Sequence, residues 1–302
     1  MHRVNPTIKA HIAVLCTNLF FATNFSLVKL VSPHLIGPLG LNVIRVGVSL
    51  ILFWMLWLLG KTPAAIRRQD LGRFVLCGLT GVAINQVLFI KGLTLTSTAH
   101  ASLLMLTTPI LVTLFAVWVL KESFTLYKAL GLALGVGGAV FLILQKESGQ
   151  HATNYLLGDA LILVNAISYS VYFILVKPLM KNYSPLHVIR WVFTFGFIFI
   201  LPFGWMQTAA TDWAAFDWRH IAYLGLIVFT GTFLAYYFNA FGIQHIGAAK
   251  TGSYIYTQPV FAVAIAVFVL GETVSWQKLL AAALIFGGVF LVNHKPASLR
   301  DS

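Results

Sequence analysis

The residues from Ala99 to Val140 recur without a gap as Ala249 to Phe290, 150 positions later. Of the 42 aligned positions 14 are identical, among them Thr107/Thr257, Pro109/Pro259, Glu122/Glu272, Lys128/Lys278 and the pair Gly137-Gly138 with Gly287-Gly288. Shared apolar composition supplies matches among alanine, valine and leucine, but not a proline, a glutamate, a lysine and a glycine pair in register. The chain carries an internal duplication, and its fold must accommodate two copies of one unit.

Composition sets the solvent in which those copies fold. The chain is 59% hydrophobic and 9% charged, where soluble domains carry about 25% charged residues. That balance marks a polytopic membrane protein. The net charge of +12 is spread singly or in small groups between apolar runs, so orientation in a bilayer explains it and no nucleic-acid partner is expected. The only two cysteines, Cys16 and Cys77, both fall inside apolar runs. They support neither a disulfide framework nor a metal site.

A membrane-spanning helix needs about 20 mostly apolar residues. Ten such runs are predicted: 8–29, 39–60, 71–92, 98–120, 126–145, 156–177, 186–207, 220–243, 249–270 and 276–294. The connections are short, so no soluble domain is inserted. The first run follows Arg3 and Lys9 but is read as a permanent helix rather than a cleaved signal. With the N-terminus cytoplasmic, the inner loops collect 13 Lys and Arg and the outer loops five, which places both termini inside. An offset of 150 residues then covers five helices, and an odd number inverts the second copy. The predicted fold is all-α and integral to the membrane, with residues 1–147 as one five-helix repeat and 148–302 as its inverted partner. Earlier segments match more loosely: Asn18 to Lys29 resembles Asn165 to Lys177 with one insertion, and Val43-Ile44-Arg45 resembles Val188-Ile189-Arg190. Inverted repeats of this kind are an architecture of secondary transporters, with a site near the midplane between the halves.

Ten helices in two fives, the run ASLLMLTTPILVTLFAVWVLKE ending the fourth span, its echo GSYIYTQPVFAVAIAVFVLGE ending the ninth, and glycine-rich fifth and tenth helices resemble the EamA family of the drug/metabolite transporter superfamily. The resemblance covers essentially the whole chain, and is specific for family rather than substrate. It implies a ten-helix inverted repeat that exports amino acids, related metabolites or toxic compounds across the bacterial inner membrane. It also implies that helices one, three, four, six, eight and nine surround a central cavity, with five and ten at the periphery.

Polar residues inside those six helices are the candidate substrate contacts, because polar groups in hydrocarbon are costly and face the bundle interior. They are Asn18 and Asn24 in helix one, Asn85 and Gln86 in helix three, Thr107 in helix four, and Asn165, Tyr169 and Tyr172 in helix six. Helix eight adds Tyr236, Tyr237 and Asn239, and helix nine Ser253, Tyr254, Tyr256, Thr257 and Gln258. Any one of them is also an ordinary interhelical hydrogen-bonding side chain. As a set they point to a neutral pocket with aromatic walls. Pro109 and Pro259 sit mid-helix, each removing a backbone donor, and are read as kinks serving a gate or site. His100 is placed near the outer surface and is a candidate proton site. Lys250 is read as reaching the inner surface. Arg45 and Arg190, in the first two turns of helices two and seven, are read as structural anchors.

All eight carboxylates fall in loops or at span ends, Asp159 being nearest the interior. No midplane acid is available to carry a proton or sodium ion, so coupling stays open among uniport, exchange and coupling through His100 or Asp159. Residues 242–247 begin like a phosphate loop but lack the following Lys and Ser/Thr, and no catalytic or metal-ligating constellation is found. The expected partners are a small organic substrate, an amino acid or an amphipathic aromatic compound, and the lipid bilayer. No cofactor is expected, a membrane-embedded enzyme or sensor is the alternative, and the glycines of helices five and ten serve either a homodimer contact or packing within one chain.

Overall fold

A computed structural model describes residues 6–60, 65–120, 125–144, 154–247, 251–252, 254–270 and 275–293. Glu122, Glu272, Lys250 and Ser253 lie outside the described residues, as does the side chain of Pro259. The described chain is helical, in the order α1 (Pro6–Val31), α2 (Pro38–Leu58), α3 (Arg68–Leu95), α4 (Thr98–Met105), α5 (Thr107–Leu120), α6 (Leu126–Leu144), α7 (Tyr155–Asn182), α8 (Pro185–Ala209), α9 (Trp218–Ile246), α10 (Gln258–Leu270) and α11 (Trp276–Asn293).

Helices α1, α2, α3, α7, α8 and α9 are each long and apolar enough to cross a membrane. In each, between 44 and 56% of the most apolar window is buried. The remainder is partly or fully exposed and carries apolar side chains such as Leu58, Phe203, Trp205 and Met206, which suits contact with hydrocarbon. Local chemistry sets where these helices begin. Pro38 and Pro185 occupy first-turn positions, where a missing N–H costs nothing. Ser184 caps α8 by accepting from the His187 N–H at 3.3 Å, and Asn154 caps α7 through the Leu157 N–H at 3.1 Å. Asp217 accepts from the His220 N–H at 2.9 Å, and the His220 ring returns the bond to the Asp217 N–H, forming a reciprocal cap on α9.

Helices from the two halves of the chain interleave. α2 packs along α8, α6 along α11, the C-terminal part of α3 on α7, and the C-terminal part of α9 on α1. α5 also packs on α7, and α10 on α1. A Cβ built on Gly288 would fall 2.5 Å from the Gly131 carbonyl oxygen and 2.5 Å from the Gly135 nitrogen. Glycine at 288 is what allows α6 and α11 to touch backbone to backbone within one chain.

Two irregularities were not anticipated. α3 contains a π-helical turn at Leu79–Ile84 and α9 another at Phe229–Leu234, 150 residues apart, each containing a Thr-Gly pair (Thr80-Gly81 and Thr230-Gly231). Each is pressed against a helix from the other half. A Cβ on Gly81 would lie 2.3 Å from Tyr172 Cδ2 of α7, and one on Gly231 2.6 Å from Asn24 Oδ1 of α1. A π turn leaves backbone groups outside the i→i−4 ladder, and side chains satisfy them here. Ser168 donates to the Thr80 carbonyl at 2.7 Å, and Thr232 to the Ile227 carbonyl at 3.0 Å.

The fourth span breaks at Leu106, one turn ahead of the expected bend at Pro109. Proline at 109 cannot donate to the Met105 carbonyl and its ring obstructs that group. The chain resolves this by ending α4 at Met105 and restarting, so that Pro109 sits third in α5, where no donor is needed. A 3₁₀ turn at Tyr254–Thr257 precedes α10 at the equivalent place. The two threonines do the same work: Thr107 Oγ1 donates to the Leu104 carbonyl and Thr257 Oγ1 to the Tyr254 carbonyl, both at 2.7 Å.

Candidate functional site

Where α1, α2, α3, α4, α7, α9 and α10 converge lies a cavity of about 440 Å³ including its open mouth. Its lining mixes amides with aromatic rings: Phe21, Asn24 and Phe25 from α1, Asn85, Gln86 and Phe89 from α3, Asn165 and Tyr169 from α7, Tyr236 from α9 and Gln258 from α10. Met105 from α4 and Arg45 from α2 complete it.

The amides are held by one another. Gln86 Nε2 donates to the Tyr236 hydroxyl at 2.6 Å, and that hydroxyl donates to Asn85 Oδ1 at 3.2 Å. Asn165 Nδ2 donates to the Asn85 carbonyl at 2.6 Å. Gln258 Nε2 donates to Asn18 Oδ1 at 2.7 Å, and Asn18 Nδ2 to the Val14 carbonyl, also at 2.7 Å. Gln86 and Tyr236 are themselves 150 residues apart, so this bond joins equivalent positions of the two halves. Phe21 meets the Tyr236 ring edge-on at 5.9 Å between centroids, and Phe25 meets Phe89 at 5.2 Å. These bonds across helices preorganise the wall against collapse.

Of the residues expected at the site, Asn24, Asn85, Gln86, Asn165, Tyr169, Tyr236 and Gln258 line the cavity. Others support it from behind. Asn18 positions Gln258, Tyr172 stacks on Tyr169 with centroids 5.8 Å apart, and Asn239 Nδ2 donates to the Tyr169 hydroxyl at 2.9 Å. The remaining members lie elsewhere. Tyr237 packs beside Phe238, Tyr254 binds His11 Nδ1 through its hydroxyl at 2.7 Å, and Tyr256 packs near Phe286. Thr107 and Thr257 spend their hydroxyls on their own helices, and Pro109 is at the start of α5, outside the lining.

Three expectations need correction. Arg45, read as a structural anchor, does not reach the interface: it is 2% exposed and lies in the cavity wall, which adds helix two to the six cavity helices that the resemblance implies. Its Nε donates to Thr232 Oγ1 at 3.0 Å and its Nη2 to the Gly231 carbonyl at 3.4 Å, so the π turn of α9 supplies what holds it. Arg190, its counterpart in the looser alignment, is enclosed by tryptophans instead, 4.6 Å from the Trp54 ring centroid and 4.5 Å from that of Trp57. His100 is also not at the surface. It is fully buried against an equally buried Asp159, Nδ1 to Oδ2 at 2.8 Å, and Asp159 Oδ1 accepts from the Thr96 hydroxyl. Asp159 therefore ties the α3–α4 connection to α7.

Helices of this length and polarity, folded around a buried polar cavity, define a multi-pass membrane protein. The model of the EamA-like transporter family matches residues 8–144 and again residues 156–294, and the chain belongs to that family. It is similar to the uncharacterized transporter YetK of Bacillus subtilis, 26% identical over 251 residues that cover 82% of this chain and 75% of YetK. It is also similar to a probable terminal-alkyne amino-acid exporter of Streptantibioticus cattleyicolor, 28% identical over 275 residues that cover 87% of this chain and 86% of that one. One solved crystal structure superposes with a TM-score of 0.67 at 17% identity, covering 94% of this chain and 96% of the other. That likeness concerns the fold alone.

Proposed function

We propose that this transporter is a secondary carrier of the bacterial inner membrane, both termini cytoplasmic, that moves a small organic metabolite outward by alternating access. The two halves, 1–147 and 148–302, form inverted five-helix units around the cavity. The observation that carries this reading is the recurrence, at an offset of about 150 residues, of two breaks in helical regularity beside the cavity among the described residues. The π turns of α3 and α9 and the broken starts of α5 and α10 are the paired elements. Discontinuous helices in matching positions of two repeats are where alternating-access carriers bind and bend. The double match to one family model and the excess of Lys and Arg on one side of the chain support the same reading.

The amide and aromatic lining favours an amino acid or an amphipathic aromatic compound, as does the name of the Streptantibioticus relative. Counterflow in proteoliposomes, with a panel of labelled amino acids and no ion gradient, tests it. Saturable exchange that Asn85→Ala weakens is the expected result. Absence of exchange for the whole panel, followed by absence for drugs, sugars and nucleosides, would overturn the carrier reading.

A further inference from the structure

Among the described residues, Arg45 is a cation without a counterion. Two of its nitrogens are engaged by Thr232 and Gly231, while Nη1 has no hydrogen-bond partner and is shut off from the surface. Every acid among the described residues is committed elsewhere: Asp70 accepts from the Tyr183 hydroxyl at 2.7 Å, Asp159 is paired with His100, and Asp212 and Asp217 cap helices. None lines the cavity. An unpaired buried guanidinium is costly, and most of that cost is recovered when an anion meets it. Two lining residues also carry unpartnered acceptors: Asn24 Oδ1 and Asn165 Oδ1 are buried without partners among the described residues, and the Nδ2 of Asn165 is already spent on the Asn85 carbonyl.

We propose that Arg45 Nη1 receives the carboxylate of the transported molecule, so that the cavity selects organic acids over the matching amides and amines. Asn24 and Asn165 accept from the donor groups of the same ligand. The proposal rests on the carrier reading for its physiological meaning, but the anion site is measurable without transport. The guanidinium is preorganised, because the bonds from Nε and Nη2 fix its plane before any ligand arrives. A single arginine suits a carboxylate.

The test is a comparison of matched compounds on the purified full-length protein in detergent. Thermal unfolding is followed with L-phenylalanine, L-phenylalaninamide, phenethylamine, L-leucine and L-leucinamide. A charge-assisted bond predicts that acids stabilise at concentrations roughly ten- to a hundredfold below those their amides require. Arg45→Gln is expected to abolish the difference, Arg45→Lys to retain part of it, and Thr232→Val, which releases Nε and loosens the guanidinium, to narrow it. If Arg45→Gln fails to fold, the wild-type comparison and Arg45→Lys still decide. Equal effects of acid and amide, no stabilisation by any acid, or a preference that survives Arg45→Gln would overturn the proposal. Counterflow of the same compounds separates the two ideas. Acid-selective binding without exchange counts against the carrier reading and keeps the anion site, whereas exchange of acids and amides alike supports the carrier reading and overturns the anion site.

Discussion

Removing the Asp159 carboxylate tests whether the buried pair with His100 holds the α3–α4 connection in place. In Asp159→Ala, the Thr96 hydroxyl and His100 Nδ1 both lose their acceptor in a region where Thr96, His100 and Asp159 have no solvent exposure. Each orphaned group costs about 1–3 kcal/mol, and breaking a buried ion pair by removing one member costs about 3–5 kcal/mol, so the two estimates agree. With an unfolding entropy of about 2.1 cal/mol/K per residue, a loss of this size lowers the apparent Tm by roughly 5 °C or more. Helices that persist in detergent reduce that entropy and enlarge the shift. Asp159→Asn keeps an acceptor for Thr96 and offers an N–H to a neutral His100, so it costs about 1–2 kcal/mol. The double variant His100→Ala/Asp159→Ala loses less than the two single changes together, with a coupling of at least about 1.5 kcal/mol. Thermal unfolding of the four variants in one detergent measures the cycle. An Asp159→Ala protein within about 0.5 kcal/mol of wild type, or strictly additive singles, would refute the pairing.

Gly288→Ala drives a methyl into the backbone of α6 and costs about 1–3 kcal/mol, while Gly287→Ala, with nothing within 4 Å of its added methyl, leaves stability unchanged; equal thermal shifts would show that α6 and α11 do not touch as described. Tyr236→Phe removes the hydroxyl that joins Gln86 to Asn85. It is expected to cost about 1–3 kcal/mol and to weaken counterflow by loosening the cavity wall; unchanged stability and exchange would contradict the network. The carboxyl of Asp217 is held below the usual carboxylate range by the His220 backbone N–H. The cap on α9 is therefore fully present above the ordinary carboxylate pKa and is lost as pH falls through the lowered value. Amide exchange in the first turn of α9 reports this, and protection that is flat with pH down to that range and beyond would count against it.

The long helices were legible because hydropathy reports directly what hydrocarbon accepts. α1 spans 6–31 where 8–29 was expected, and α3 spans 68–95 where 71–92 was expected. The break at Leu106 was displaced from its cause because proline disables the carbonyl four residues earlier rather than its own. The π turns were hidden, although Thr80-Gly81 and Thr230-Gly231 would have marked them had the 150-residue offset been extended backward. Amides at the site were legible because hydrocarbon penalises them. Phe21, Phe25, Phe89 and Met105 were not, since an apolar side chain reads alike against lipid or in a cavity. Arg45 was missed for a further reason. Its partners, Gly231 and Thr232, are 186 and 187 residues away, and they become available to it only where α9 adopts the π turn.

Accessibility of the cavity from the two sides of the membrane tests alternation most directly. With Cys16 and Cys77, the two free cysteines, replaced by serine and alanine, Met105→Cys places one thiol in the cavity wall. A membrane-impermeant maleimide is then applied to right-side-out and inside-out vesicles. An alternating carrier is modified from both faces, and a transported compound slows modification from each. Modification from one face only, whatever compound is present, would contradict it.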